Sequence, residues 1–274
     1  MNKLQWNFVI NLINSPLEQF EILNLSTKFI KIFQKFFKLK EFSIFLFNII
    51  FSNFFLFTFF IFFFIFIIFY FLKLNNKLFP NYNLYFFIDF LYNFIQDLII
   101  QNIGIEDEKY NQYLILIFFF LLFSNIFGMI PYTFTLTSHI LITFSLSLSI
   151  FIGINIIGIQ KLKINYFNLF FPSGVPLIMG PFLILIELIS YFAKVFSLAI
   201  RLFANIMSGH TLLKILSMFT WIMILKKTFW IFNSLIPLII IFIITGLEIM
   251  IAILQAYVFT MLVCIYINDV KHIH

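Results

Sequence analysis

Long apolar runs separated by short polar stretches extend along most of the chain. Residues 42–72 predict one transmembrane helix, and residues 111–159 predict two, over 111–130 and 139–159, because a helix needs about 20 apolar residues to cross a bilayer. The runs are continuous and lack the apolar–polar alternation of membrane barrel strands. Since backbone hydrogen bonds inside a membrane must close within each segment, the pattern predicts an all-α polytopic membrane protein.

Two amphipathic stretches flank the first of these helices. Residues 1–41 contain lysines at helical spacing between apolar residues, which predicts a basic amphipathic segment at the membrane interface, with partner docking as the alternative. Residues 73–110 predict a second interfacial helix followed by an acidic turn. The apolar side of that helix consists of Phe86, Phe90, Phe94 or Ile95, and Leu98.

The last third of the chain predicts two unusually long helices. After a turn-rich loop over residues 160–181, residues 182–225 contain no proline. One continuous helix of this length is about 65 Å long, roughly twice the hydrocarbon thickness of a bilayer. Residues 229–270 predict a similar partner, with a kink at Pro237. We therefore expect residues 182–270 to form a hairpin of two strongly tilted helices.

Composition supports this class and excludes several others. Of 274 residues, 63% are hydrophobic and 10% are charged, which is far from the composition of a soluble domain. The net charge of +6 is spread over loops and ends, so it indicates topology and lipid headgroup contact rather than nucleic-acid binding. The lone Cys264 excludes an intrachain disulfide and a cysteine metal site. No motif predicts a metal ion or an organic cofactor.

Arg201 is the only arginine in the chain and lies in a segment apolar enough for a bilayer. A charge there costs on the order of 2.5–3.5 kcal/mol on insertion scales. A buried lysine can lose its proton, whereas a guanidinium stays charged, so arginine indicates a need for permanent charge. A functional role is the main interpretation, and an internal salt bridge between helices is the alternative.

Two stripes of polar residues accompany Arg201. The first stripe follows helical spacing on the same helix and includes Glu187, Lys194, Asn205 and Ser208. The second stripe, on the partner helix, repeats every seven residues and includes Glu248, Gln255 and Asp269. Lipid does not tolerate such stripes, so they line water-filled or protein-facing surfaces.

An antiparallel hairpin about Thr228 pairs the polar residues in three levels. At each level the residue numbers of the partners add up to nearly the same value, and Gln255 faces Arg201 at the middle level. The His210–Glu248 pair lies about 13 Å to one side, at 1.5 Å per residue. The third pair, about 21 Å to the other side on the same rise, is Glu187 with Asp269.

The three levels predict a mechanism. Imidazole and carboxylate groups exchange protons near neutral pH when burial and neighbours shift their pKa values, whereas a guanidinium does not. Two titratable clusters on either side of Arg201 therefore predict two proton paths kept apart by a fixed charge. On a straight helix His210 is half a turn out of phase with Arg201 and should face away from it. The alternative is that His210 and Glu248 only hold the hairpin together.

The chain resembles subunit a of the ATP synthase membrane sector, in its mitochondrial form. That family's third helix and loop resemble FSNIFGMIPYTFTLTSHI, its signature resembles PFLILIELISYFAKVFSLAIRLFANIMSGHTLL, and its C-terminal helix resembles LEIMIAILQAYVFTMLVCIYIND. The resemblance covers residues 111–270, and residues 1–110 match only in general plan. His210 and Glu248 follow the mitochondrial arrangement, whereas bacterial relatives typically exchange the acid and the imidazole.

The resemblance implies a proton-translocating stator subunit that couples proton flow to ring rotation and has no catalytic site of its own. Arg201 is then the essential stator arginine, which faces the carboxylate of each subunit c. Asn205 and Gln255 are implied as its polar companions, and Lys194 and Ser208 complete the stripe. The implied partners are the c-ring, the peripheral stalk, other Fo subunits and membrane lipids.

The resemblance also assigns the titratable residues to two half-channels. His210 and Glu248 belong to the half-channel that admits protons from the intermembrane space. Glu187 and Asp269 belong to the one that releases them to the matrix. The implied location is the mitochondrial inner membrane, with the bacterial plasma membrane as the alternative, and the implied ion is H⁺.

Two other classes of function are alternatives. A secondary transporter predicts inverted repeats and interrupted half-helices, and neither is visible in the sequence. A structural membrane scaffold subunit leaves the single arginine among three polar levels unexplained.

Overall fold

A computed structural model of the chain describes most of its apolar segments. The described residues are 20, 53–73, 83–104, 110–130, 133–163, 166, 180–225 and 230–271. Most of these residues lie in α-helices, and none of them lies in a β-strand. The helices are α1 (Asn53–Lys73), α2 (Asn83–Ile103), α3 (Asn111–Gly128), α4 (Ile140–Leu162), α5 (Gly180–Leu225) and α6 (Trp230–Lys271), with a 3₁₀ helix at Leu136–Ser138. The predicted all-α fold class is confirmed.

Four of the described helices, α3 to α6, are long and apolar enough to cross a membrane. They match the second and third predicted spans and the two predicted long helices, with boundaries that differ by a few residues. The described part of the first predicted span is α1, with an apolar stretch at Phe54–Tyr70. Residues 1–41 apart from Phe20, most of the 160–181 loop, and the turn at residues 226–228 lie outside the described residues.

The length of α5 and α6 constrains how they fit a bilayer. They contain 46 and 42 residues. At 1.5 Å per residue they are about 69 Å and 63 Å long, roughly twice the ~30 Å hydrocarbon core. Helices of this length stay within a bilayer only when they are strongly tilted, as the predicted hairpin requires. α6 continues through Pro237, although proline removes one backbone hydrogen bond there.

The chain divides into two compact units, each of which combines part of α5 with part of α6. Unit 1 consists of Met1–Ile61, Ser124–Ser138 and Ala204–Ala252. Unit 2 consists of Phe62–Phe123, His139–Phe203 and Ile253–His274.

In unit 2 the first half of α5 packs against α4 and the end of α6. The ring of Phe151 on α4 lies 4.7 Å from that of Tyr191 on α5. Lys194 on α5 reaches Asp269, close to the last residue of α6, with 3.7 Å between Nζ and Oδ2. The start of α5 therefore lies beside the end of α6, which is the antiparallel order expected for the hairpin.

In unit 1 the second half of α5 packs against the first half of α6. Gly209 of α5 lies against the side chain of Glu248 on α6. The fully buried Asn125 fixes α3 to the same helix, because its Nδ2 donates a hydrogen bond of 3.3 Å to the carbonyl oxygen of Ala252. This unit therefore also has the antiparallel order.

Helix α2 packs against the protein through a side that the sequence analysis did not assign to protein contacts. Ile95, Ile99 and Ile103 are buried, whereas Phe86 and Phe90 are 79% and 65% exposed. The isoleucines recur every four residues and so form one continuous stripe that contacts the protein. Phe86 and Phe90 face outward, where a membrane can accommodate them.

Residues 134–138, between α3 and α4, are buried although most of them are polar. In unit 1, Thr135 and Ser138 satisfy each other, because Ser138 Oγ accepts from Thr135 Oγ1 and donates to the Thr135 carbonyl, both at 2.7 Å. His139 follows in unit 2, and its carbonyl oxygen accepts the first amides of α4. Burial lowers the pKa of the His139 side chain, so this imidazole is neutral at pH 7.

Gly158 lies where α4 packs closely against its neighbours. A Cβ at Gly158 would lie 2.5 Å from both the Tyr166 ring and Val270 Cγ1. We expect Gly158→Ala to destabilise unit 2 by about 1–3 kcal/mol, because an aromatic ring and a β-branched side chain cannot both move away. Gly153→Ala is the matched control, since nothing lies within 4 Å of the added Cβ.

Thermal unfolding of the purified protein in detergent, followed by helical circular dichroism, measures this difference. Gly153→Ala should melt at or above the wild-type temperature, since alanine favours a helix interior over glycine by about 1 kcal/mol. Equal melting temperatures for the two variants would contradict the predicted close packing at Gly158.

Candidate functional site

A cavity of about 210 Å³ lies in unit 2, between α4, α5 and α6. Its lining residues with polar or charged groups are Glu187, Tyr191, Lys194, Tyr266 and Asp269. The three on α5 are four and three residues apart, so they share one side of that helix. The structure therefore brings together Glu187 and Asp269, as the predicted hairpin register requires.

Lys194 is more closely involved with this cavity than its place in the predicted stripe suggests. It forms the 3.7 Å ion pair with Asp269, and its Nζ lies 5.1 Å from the centre of the Tyr266 ring. The side chains of Lys194 and Asp269 are 34% and 51% exposed, and ion pairs this exposed contribute only about 0–1 kcal/mol to stability. The pair therefore matters for the charge of the cavity more than for the fold.

Two tyrosines and an asparagine form a hydrogen-bonded cluster beside the same cavity. Tyr166 Oη donates to Asn155 Oδ1 at 2.6 Å and lies 2.9 Å from Tyr191 Oη, which also donates to Asn155 Oδ1. Both tyrosines are buried. The sequence analysis did not identify this cluster. The sequence feature that could have pointed to Tyr191 is its position one helical turn after Glu187.

Arg201 is exposed on α5. Its guanidinium interacts electrostatically with the side chain of Tyr266. Within the described part of the chain Arg201 forms no ion pair. The salt bridge that was the alternative interpretation of Arg201 is therefore not formed among these residues. Gln255 is buried on α6, and its predicted pairing with Arg201 stays a prediction.

A second cavity, of about 260 Å³, lies in unit 1 between α5 and α6. Its lining includes Asn205, Ser208, Gly209, His210 and Glu248, along with apolar side chains of both helices and Met129. The predicted partners His210 and Glu248 thus face one space. His210 borders the same cavity as Asn205 and Ser208, and its expected orientation away from Arg201 stays a prediction.

The polar atoms of His210 and Glu248 do not bond to each other. His210 Nε2 and both carboxylate oxygens of Glu248 are buried and have no hydrogen-bond partner among the described residues. His210 instead packs edge-on against the ring of Phe20, 6.3 Å away. Buried polar groups are almost always satisfied by protein or water, and this cavity has room for several water molecules. The arrangement suits groups that are connected through water.

Gly209 explains how a carboxylate reaches this position. A Cβ at Gly209 would lie 2.8 Å from Glu248 Oε1, so only glycine leaves the carboxylate its observed place beside α5. The sequence analysis quoted this glycine only as part of the SGH triplet. Within the described residues, no group of three histidine, cysteine or acidic side chains is arranged to hold a metal ion.

Comparison with known proteins agrees with the resemblance. A family model described as ATP synthase A chain matches residues 52–268. ATP synthase subunit a of Chondrus crispus is 45% identical over 271 residues, which is 99% of this chain and 100% of that protein. The Marchantia polymorpha protein of that name is 43% identical over 264 residues (95% and 99%), and the Brassica napus protein is 50% identical over 192 residues (68% and 74%). This chain therefore belongs to the ATP synthase subunit a family.

Proposed function

We propose that this chain is the proton-translocating stator subunit of an F-type ATP synthase membrane sector. One observation carries the proposal. Along the sequence of α5, Arg201 separates the residues that line the unit 2 cavity from those that line the unit 1 cavity. Two cavities with titratable groups, whose residues lie on either side of a permanent charge along the sequence of one helix, are what two half-channels require.

Protons enter through the unit 1 cavity. His210 and Glu248 can both bind water and exchange protons there, because their buried polar atoms face a space that water can fill. Each proton then passes to a carboxyl group of subunit c in the ring.

Protons leave through the unit 2 cavity. Among the described residues Lys194 pairs with Asp269, so Glu187 is the carboxylate there that has no ammonium group at ion-pair distance. Glu187 is therefore our assignment for the group that accepts the proton from the ring. Asp269 and Lys194 keep the rest of the cavity polar.

Arg201 makes the two routes separate. Its positive charge stabilises the ionised form of a ring carboxyl group that faces it, so the proton leaves before that group passes. A ring carboxyl group that faces lipid is neutral, since burying an isolated charge is very unfavourable. Net rotation therefore exchanges one proton for each subunit c that passes Arg201.

The surface around Arg201 suits a closely packed partner. Ala193, Ser197 and Arg201 are exposed at four-residue steps on α5, and small side chains allow helices in membranes to approach closely. We assign this face to the c-ring. The peripheral stalk, other Fo subunits and lipids are the proposed neighbours of the remaining apolar surface, in the mitochondrial inner membrane.

The unit 1 cavity supplies the test of this function. We expect Gly209→Ala to lower ATP-driven proton pumping about tenfold, the effect of ~1.4 kcal/mol on a barrier, because the new methyl group displaces the Glu248 carboxylate. The fold should survive, since the displaced atom is the end of a flexible side chain. Gly246→Ala is the matched control, with nothing within 4 Å of its Cβ.

The measurement is acidification of liposomes that contain the complex purified through a tag on this chain. A ring of small two-helix subunits should copurify with wild type and both variants. Absence of that ring would refute the stator assignment. Wild-type pumping by Gly209→Ala would show that the Glu248 carboxylate is not on the proton path.

A further inference from the structure

The cluster of Asn155, Tyr166 and Tyr191 has fewer protons than hydrogen-bond contacts. Its three oxygens touch pairwise: 2.6 Å from Tyr166 to Asn155, 2.9 Å from Tyr166 to Tyr191, and a short contact from Tyr191 to Asn155. The amide oxygen can only accept, and each phenol has one proton. Two protons therefore serve three contacts, and one contact is always without a shared proton.

Because of this shortage of protons, the Tyr191 hydroxyl can point its proton toward a different acceptor. Tyr166 alone can satisfy the Asn155 oxygen, so Tyr191 can turn its proton away while its oxygen still contacts the other two. Tyr191 borders the unit 2 cavity, and Tyr166 is not among the residues that line it. Tyr191 is therefore the member of the cluster that can exchange hydrogen bonds with the cavity.

The position of Tyr191 suits an exchange of hydrogen bonds that transfers protons across the cavity. Along α5 it lies between Glu187 and Lys194 on the side that faces the cavity, and Lys194 holds Asp269. A water molecule that bonds to the Tyr191 hydroxyl from this cavity would lie in the space that both carboxylates line. The cavity volume of about 210 Å³ allows several such water molecules.

We propose that Tyr191 is a proton-path residue that connects Glu187 to Asp269 through its neutral hydroxyl group. Its oxygen accepts a proton from a protonated water on the Glu187 side and gives its own proton to a water on the Asp269 side. One proton arrives and one leaves, so the phenol is unchanged once it turns back. Asn155 and Tyr166 act as positioning residues that hold the hydroxyl at the cavity wall. The inference rests on the proposed release of protons through this cavity.

The experiment compares Tyr191→Phe with Tyr166→Phe in the reconstituted complex. Both remove one hydroxyl from the same cluster and keep the aromatic ring, but only Tyr191 lines the cavity. ATP-driven pumping per assembled complex should fall about three- to tenfold in Tyr191→Phe, the range that loss of one hydrogen bond gives, and should fall less in Tyr166→Phe, which removes a positioning hydroxyl but keeps the hydroxyl that transfers the proton. The ratio of rates in H₂O and D₂O should rise only in Tyr191→Phe, because proton transfer in the cavity becomes more rate-limiting.

Three results would overturn the proposal: a wild-type rate in Tyr191→Phe, equal losses in both variants, or an unchanged isotope ratio. Normalisation to the amount of assembled complex keeps the comparison valid if either variant assembles less well. Arg201→Ala, measured in parallel, distinguishes the two levels of inference. If it retains coupled pumping, the stator function fails. If it loses coupling while Tyr191→Phe pumps normally, only the role of Tyr191 fails.

Discussion

Replacing Arg201 by alanine is expected to abolish ATP synthesis driven by a proton gradient while the complex still assembles. Arg201 is exposed and forms no ion pair among the described residues, so its removal leaves no partner charge buried in the fold. Without the guanidinium, protons cross between the paths without turning the ring. Synthesis should fall at least about a hundredfold, which corresponds to ~2.7 kcal/mol on a barrier.

Liposomes that contain the purified complex allow synthesis and passive proton leak to be measured together, with assembly followed on a native gel. Arg201→Lys is the matched variant, because it keeps a positive charge that can lose its proton when desolvated. Its leak should lie between wild type and alanine and should rise with pH. Coupled synthesis at the wild-type rate in the alanine variant would disprove the barrier role.

Exchange of the acid and the imidazole in unit 1 is the second prediction with a large effect. The double variant His210→Glu with Glu248→His should retain more proton pumping than either single removal. Both residues face one cavity of about 260 Å³, and their buried polar atoms have no partners among the described residues that would select one orientation. Either order therefore places a titratable pair beside the same water.

The single variants His210→Ala and Glu248→Gln each leave one titratable group in that cavity. We expect each to lower pumping about tenfold or more, with the assembled amount unchanged. Pumping by the exchanged double variant is measured against both. If the double variant is as inactive as the worse single variant, the two residues act independently. The interpretation as a water-connected pair then fails.

The helices and the polar residues of the site follow from the sequence because their signals are local. Apolar runs without proline predict α5 and α6, since a membrane helix satisfies its own backbone. The spacing of Glu187, Lys194 and Arg201 places them on one side of α5, because helical periodicity is also a local property. An antiparallel register then pairs His210 with Glu248, and the structure places both in one cavity.

Other parts of the site depend on contacts between segments that are distant in sequence. The sequence alone does not show why residue 209 is glycine, and the reason is its contact with the Glu248 side chain. Asn155, Tyr166 and Tyr191 belong to different segments, so no spacing rule could join their oxygens. The ion pair of Lys194 with Asp269 likewise depends on how the helices pack.

The sequence by itself determined the membrane class, the two long helices and the residue types around one permanent charge. These depend on hydrophobicity and helical periodicity, which each segment carries alone. Only the tertiary structure decided which polar groups share a cavity and which are paired. It placed His210 and Glu248 at the unit 1 cavity and Tyr191 at the unit 2 cavity. The reason is physical: side-chain distances of a few ångströms are set by how closely helices approach, and that approach depends on residues such as Gly209 and Gly158 whose neighbours come from elsewhere in the chain.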